Sequence, residues 1–124
     1  MQSYAELVKI GRKYYSDKGF CSVVALASVA DISFGKARAI MDKHGRKHCA
    51  GATLMSILNA VENRNLKYTE INVQAKTMKT ISNELRHGKY LVFVRGHVAA
   101  VVDGVINDWT EGRAHRIVRV FKVN

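Results

Sequence analysis

The dipeptide Asp103-Gly104 stands between two apolar runs, Val98 to Val102 and Val105-Ile106. A two-residue hairpin turn needs positive φ at both central positions, which Asp and Gly tolerate, so this pair predicts a tight hairpin. The turn then dictates register: Val102 faces Val105, Ala100 faces Asn107, Ala99 faces Asp108 and His97 faces Thr110. By alternation His97 and Asp108 project from one face and Asn107 from the other. A three-residue loop would flip one strand and put Asn107 beside the histidine, so the assignment of Asp108 depends on the Asp-Gly turn.

Around this hairpin the chain divides into a helical part, about 1–65, and a sheet part, about 66–124, with no proline, repeat or biased tract to cut it. Residues 4–15 place Leu7, Ile10 and Tyr14 at helical spacing, with Gly11 weakening the pattern. After the turn-like Ser16-Asp17-Lys18-Gly19, the segment Cys21 to Ala30 is apolar on every side, as a buried helix is. Ser33 caps a helix to about His44 that ends at Gly45, and Thr53 caps another in which Leu54, Ile57, Leu58 and Val61 share one face. Lys67 to Val73 reads as a short strand and Thr77 to Gly88 as a further helix. Lys89 to Arg95, His97 to Val102, Val105 to Asp108 and Arg116 to Val123 are rich in β-branched and aromatic residues. N-terminal helices packed on a C-terminal antiparallel sheet make an α+β fold in a single domain.

A chain of 124 residues, 48% of them hydrophobic, can bury about two thirds of its unfolded surface on folding. No apolar run approaches the roughly 18 residues of a membrane span, and the N-terminal residues lack the basic-then-apolar pattern of a secretory signal. The expectation is therefore a cytoplasmic protein without a membrane partner, in which Cys21 and Cys49 are free thiols. Lys and Arg outnumber Asp and Glu by 20 to 10, a net charge of +10 that favours acidic or nucleic-acid partners. Arg46, Lys47, Arg113 and Arg116 fall on loops or strand ends that would rim a site and suit an acidic substrate.

Cys21 begins the buried helix, where unpaired backbone N–H groups and the helix dipole favour thiolate. His97 and Asp108 are diagonal cross-strand neighbours, about 7 to 8 Å apart at the backbone, a gap that an imidazole and a carboxylate bridge with a hydrogen bond. A thiol, an imidazole that takes and returns its proton, and a carboxylate that orients the ring are the parts of acyl transfer through a thioester. Trp109 reads narrowly as a core plug rather than as a shield over the His–Asp bond. Cys49, beside Arg46, Lys47 and His48, ranks second as a nucleophile. His44, His48 and Cys49 lack the paired spacing of a zinc site, and no phosphate-loop pattern occurs, so neither metal nor cofactor is expected.

The residues Lys18-Gly19-Phe20-Cys21-Ser22-Val23-Val24-Ala25-Leu26 and the run Gly96-His97 through Asn107-Asp108 resemble the papain-like cysteine peptidase superfamily, in particular its small members in tailed phages and bacteria. The likeness spans most of the chain. It implies a papain-like fold with Cys21 as nucleophile, His97 as base and acid, and Asp108 as the residue that holds the imidazole. It also implies a protein or peptide substrate and, for a phage-encoded chain, the host cytoplasm. The family's oxyanion glutamine has no counterpart, because Tyr14, Tyr15, Ser16 and Asp17 occupy its stretch and Gln2 is far from it in sequence. Three readings stay open: a peptidase, isopeptidase or amidase; an acyltransferase of the transglutaminase type; and a non-enzymatic basic module that binds protein or nucleic acid.

Overall fold

The computed structural model describes residues 1–47 and 51–124. Among them run helices α1 (Tyr4–Tyr15), α2 (Cys21–Ala30), α3 (Phe34–Lys43), α4 (Leu54–Asn63) and α5 (Met78–Glu84). The strands are β1 (Tyr68–Ile71), β2 (Lys89–Val94), β3 (His97–Val102), β4 (Val105–Ile106) and β5 (Ile117–Val123). They form one antiparallel sheet in the order β1-β5-β2-β3-β4. The fold is α+β, with helices first and sheet after.

Local chemistry explains the helix starts. Ser3, Ser33 and Thr53 each accept a hydrogen bond from the backbone N–H three residues on, at 3.2, 3.2 and 3.1 Å, which satisfies one of the donors a helix leaves unpaired at its start. Gly11, out of place by propensity, has a packing reason: a Cβ there would lie 2.7 Å from Phe34 Cζ, closer than any side chain sits. Helix α1 thus meets α3 at a point where a larger residue would force the buried Phe34 ring to move.

The sheet is covered on both faces, and period-two alternation assigns its residues to the two cores. Leu91, Phe93, Val98, Ala100 and Phe121 join the core under α1 to α4. Tyr90, Val92, Val94, Ala99, Val101, Ile106 and Val120 join a second core with Met78, Ile81 and Leu85 of α5. Burial on both sides is why β2 and β3 read as unbroken apolar runs. Helix α2 is buried from Ser22 to Val29 and packs on β3, α3 and α4, so its first residue is held against the start of β3.

The hairpin has the expected register, Val101 opposite Ile106 and Val102 opposite Val105, across Asp103 at φ 47° and Gly104 at φ 82°. Strand β4 is shorter than the sequence suggested: Asn107 and Asp108 leave the ladder, although the Asn107 N–H still reaches the Ala100 carbonyl at 2.9 Å. The strand expected over Lys67 to Val73 is confined to Tyr68–Ile71, and the fifth helix stops at Glu84, well before Gly88.

Candidate functional site

Three segments bring the site together, and each is held by buried polar groups. The first is the turn before α2. Asp17, fully buried, meets Arg46 Nη2 at 2.6 Å and Arg38 Nε at 3.1 Å, and its Oδ1 accepts the Gly19 N–H at 3.2 Å. Arg46 also donates from Nη2 to the Gly19 carbonyl at 2.8 Å and reaches Asp42 at 3.1 Å. The carboxylate and the guanidinium together grip the turn that delivers Cys21. Arg46 therefore does not rim the site: its side chain is buried in an ion pair, because the loop after α3 folds back under the turn.

The second segment is the end of the hairpin. His97 Nε2 and Asp108 Oδ2 are 2.7 Å apart, so the expected pair forms. Thr110 fixes the same carboxylate oxygen, with its N–H at 3.1 Å and its hydroxyl at 2.6 Å. Asn107 points the other way, and its Nδ2 donates to Ser28 Oγ at 2.8 Å and to the Gln2 carbonyl at 3.0 Å, while its Oδ1 accepts the Tyr4 N–H at 2.6 Å. Neighbouring side chains thus split their work: Asp108 orients the imidazole and Asn107 ties α1 and α2 to the sheet.

The third is the start of α2. Phe20, at the N-cap, supplies no side-chain hydrogen bond, so the first N–H groups of the helix are not taken up by a cap. Burial pushes the Cys21 thiol up, but a hydrogen bond with His97, the imidazole's charge and the Val98 N–H outweigh it and hold the thiol below its ordinary range. Burial likewise opposes charge on His97, yet the hydrogen bonds with Asp108 and Cys21 raise it from 6.5 to about 9. Both shifts favour the thiolate–imidazolium pair over the neutral pair.

Trp109 is not a core plug. It is 43% exposed, with its ring centroid 5.0 Å from that of His97 and 5.1 Å from that of His115, so it covers the imidazole from outside. Arg113 lies 5.6 Å from the same ring, while Arg116 lines a separate hollow between β1 and β5. His48 and Cys49 lie outside the described residues; Cys21 is a free thiol.

Two cavities meet at Cys21 and His97. One, about 460 Å³, runs over Leu54, Ile57, Phe93, Val94 and Val98, with Arg95 and Arg119 at its edge. The other, about 290 Å³, is lined by Tyr4, Arg12, Lys18, Gly19, Phe20 and Trp109. Tyr4 is the site residue that sequence reasoning missed. Burial and the Asp108 charge raise its phenol, and it arrives through Asn107, a contact across 103 positions for which local sequence offers no signal. No helix of the described residues is long and apolar enough to cross a membrane. Compared with known proteins, the chain matches no protein-family model, no curated sequence and no solved structure at a significant level.

Proposed function

We propose that this chain is a small papain-like cysteine hydrolase that cleaves a peptide, isopeptide or amide bond through a thioester on Cys21. The observation that carries the reading is one imidazole bonded to both a buried carboxylate and a thiol at a helix start, in the mouth shared by two cavities.

In this mechanism the Cys21 thiolate attacks the substrate carbonyl carbon, and the backbone N–H of Cys21 donates to the oxyanion that forms. The imidazolium of His97 gives its proton to the leaving amine as the C–N bond breaks, which leaves an acyl thioester and a neutral ring. Water then attacks the thioester, His97 takes its proton, and the acid departs as the thiolate returns. Asp108, held by Thr110, keeps Nε2 occupied so that the ring's other nitrogen faces the sulfur. Trp109 limits water at the His–Asp bond and so keeps that bond strong.

The test needs no substrate. Site-resolved alkylation by iodoacetamide should label Cys21 rapidly well below pH 8, with Cys49 as the internal reference, and His97→Ala should abolish the low-pH reactivity while the fold persists. Slow labelling that follows an ordinary thiol in both proteins would overturn the triad.

A further inference from the structure

The two cavities that meet at the thiol differ in chemistry: among the described residues the larger has one cation without an ion pair, Arg95, in an otherwise mostly apolar lining, and the smaller has two, Arg12 and Lys18. At the edge of the large cavity, Arg119 is spent: it makes a two-pronged ion pair with Glu70, at 2.9 and 2.7 Å. The rest of that lining is aliphatic or aromatic, apart from Arg95 at the β2–β3 turn and Ser22 beside the thiol. On the other side of Cys21, Arg12 and Lys18 line the smaller cavity, and neither forms an ion pair among the described residues. The acid nearest to them in sequence, Asp17, is fully buried and engaged by Arg46 and Arg38. The guanidinium of Arg12 instead lies 6.0 Å from the Phe20 ring, and its charge is felt by the Tyr4 phenol.

Unpaired cations in a concave, partly apolar wall attract an anion more strongly than the same charges on open surface, because the low-dielectric walls focus their field. We propose that the smaller cavity binds an anionic group of the substrate, a carboxylate close to the scissile bond, while an apolar side chain fills the larger cavity across that bond. The substrate class is thus a peptide or amide with an apolar residue on one side of the cleaved bond and an acidic residue on the other. This rests on the Cys21–His97–Asp108 reading given above. The acidic preference expected from the overall charge is thereby placed on Arg12 and Lys18 rather than on Arg46.

Charged and neutral alkylating reagents of similar size separate the two claims. Iodoacetamide reports the activation of Cys21; the ratio of its rate constant to that of iodoacetate reports the local attraction for a carboxylate. In the full chain at pH 7 and low ionic strength, Arg12→Gln/Lys18→Gln should lower the iodoacetate-to-iodoacetamide ratio at Cys21 by roughly threefold to tenfold, the effect of two partly exposed charges. The control Lys36→Gln/Lys79→Gln removes the same net charge from exposed sites on α3 and α5 that do not line the cavity, and should leave the ratio within about twofold of the parent, since charges that act through water of high dielectric contribute little. An equal ratio in parent, double variant and control overturns the anionic cavity and leaves the triad standing. A fast, His97-dependent iodoacetamide reaction with a ratio that falls only in Arg12→Gln/Lys18→Gln supports both. Slow iodoacetamide labelling indifferent to His97→Ala overturns the triad, and with it the substrate assigned here.

Discussion

Asp17 with Arg46 and Asp108 with His97 are both buried acids bonded to a base, yet they leave different things open. Around Asp17 the guanidinium of Arg46 is itself buried and spends its donors on Asp17, Asp42 and the Gly19 carbonyl. Around Asp108 the chain of bonds continues past the imidazole to a thiol that faces two cavities. The first cluster closes on the protein and holds backbone in place. The second ends at a thiol that faces open space, where the proposed chemistry brings the reactant.

The largest effect that tests this contrast is on stability. Arg46→Met leaves the Asp17 carboxylate buried with one partner fewer, and losing one member of a buried ion pair costs about 3–5 kcal/mol. A domain of this size has roughly 5–15 kcal/mol in all, so the urea midpoint should fall steeply. His97→Ala should cost less, because the two cavities that open onto the imidazole admit water to the carboxylate it leaves behind. Equal losses in the two variants would erase the distinction between a closed and an open cluster.

On reactivity the order reverses. In the proposed mechanism His97→Ala removes the group that holds the thiol ionised and carries the proton, and Asp108→Asn removes the charge that keeps the ring protonated. Each should slow turnover, or low-pH alkylation of Cys21, by about a hundredfold or more. Surface substitutions such as Lys79→Gln should leave that rate unchanged. A reactive Asp108→Asn protein would mean that a neutral acceptor at this position suffices to orient the imidazole and that the carboxylate's charge is not needed.

Titration sharpens the same comparison. Because His97 in the folded chain protonates near pH 9, above its ordinary 6.5, its proton binding stabilises the fold fully below about pH 6.5. That contribution is lost as pH rises from there through about 9. The difference in urea midpoint between the parent and His97→Ala should therefore shrink across this window. A difference that grows with pH would contradict a raised histidine.

How much of this was legible in the sequence depends on how local the cause is. The Asp103-Gly104 turn decides its own geometry, so the pairing of His97 with Asp108 and the opposite direction of Asn107 followed from alternation alone. The caps at Ser33 and Thr53 and the buried character of Cys21 to Ala30 are equally local. Arg46 was misjudged because a basic residue in a loop is exposed by default, and only the folding of that loop beneath the Asp17 turn buries it. Trp109 was misjudged because a large apolar ring normally seeks a core; here the peptide leaves the ladder at Asn107, and the ring is carried outside onto His97. Tyr4 could not have been placed at all, since its position follows from Asn107 reaching back to the N-terminus.

The smallest effect concerns that outer ring. Trp109→Ala keeps every member of the Cys21–His97–Asp108 chain and removes only the surface that limits water at the 2.7 Å bond between imidazole and carboxylate. Water raises the local dielectric and competes for the bond, so the carboxylate should support the imidazolium less well. His97 should titrate lower than in the parent, and low-pH alkylation of Cys21 should slow by a few fold, roughly threefold, far less than on loss of the histidine itself. The pH profile separates this from a general loosening of the site, which would lower the rate at every pH without moving the midpoint. An unmoved midpoint would show that the open cluster is already sealed from within by Thr110. The two clusters would then differ only in the presence of the thiol, and not in their exposure to water.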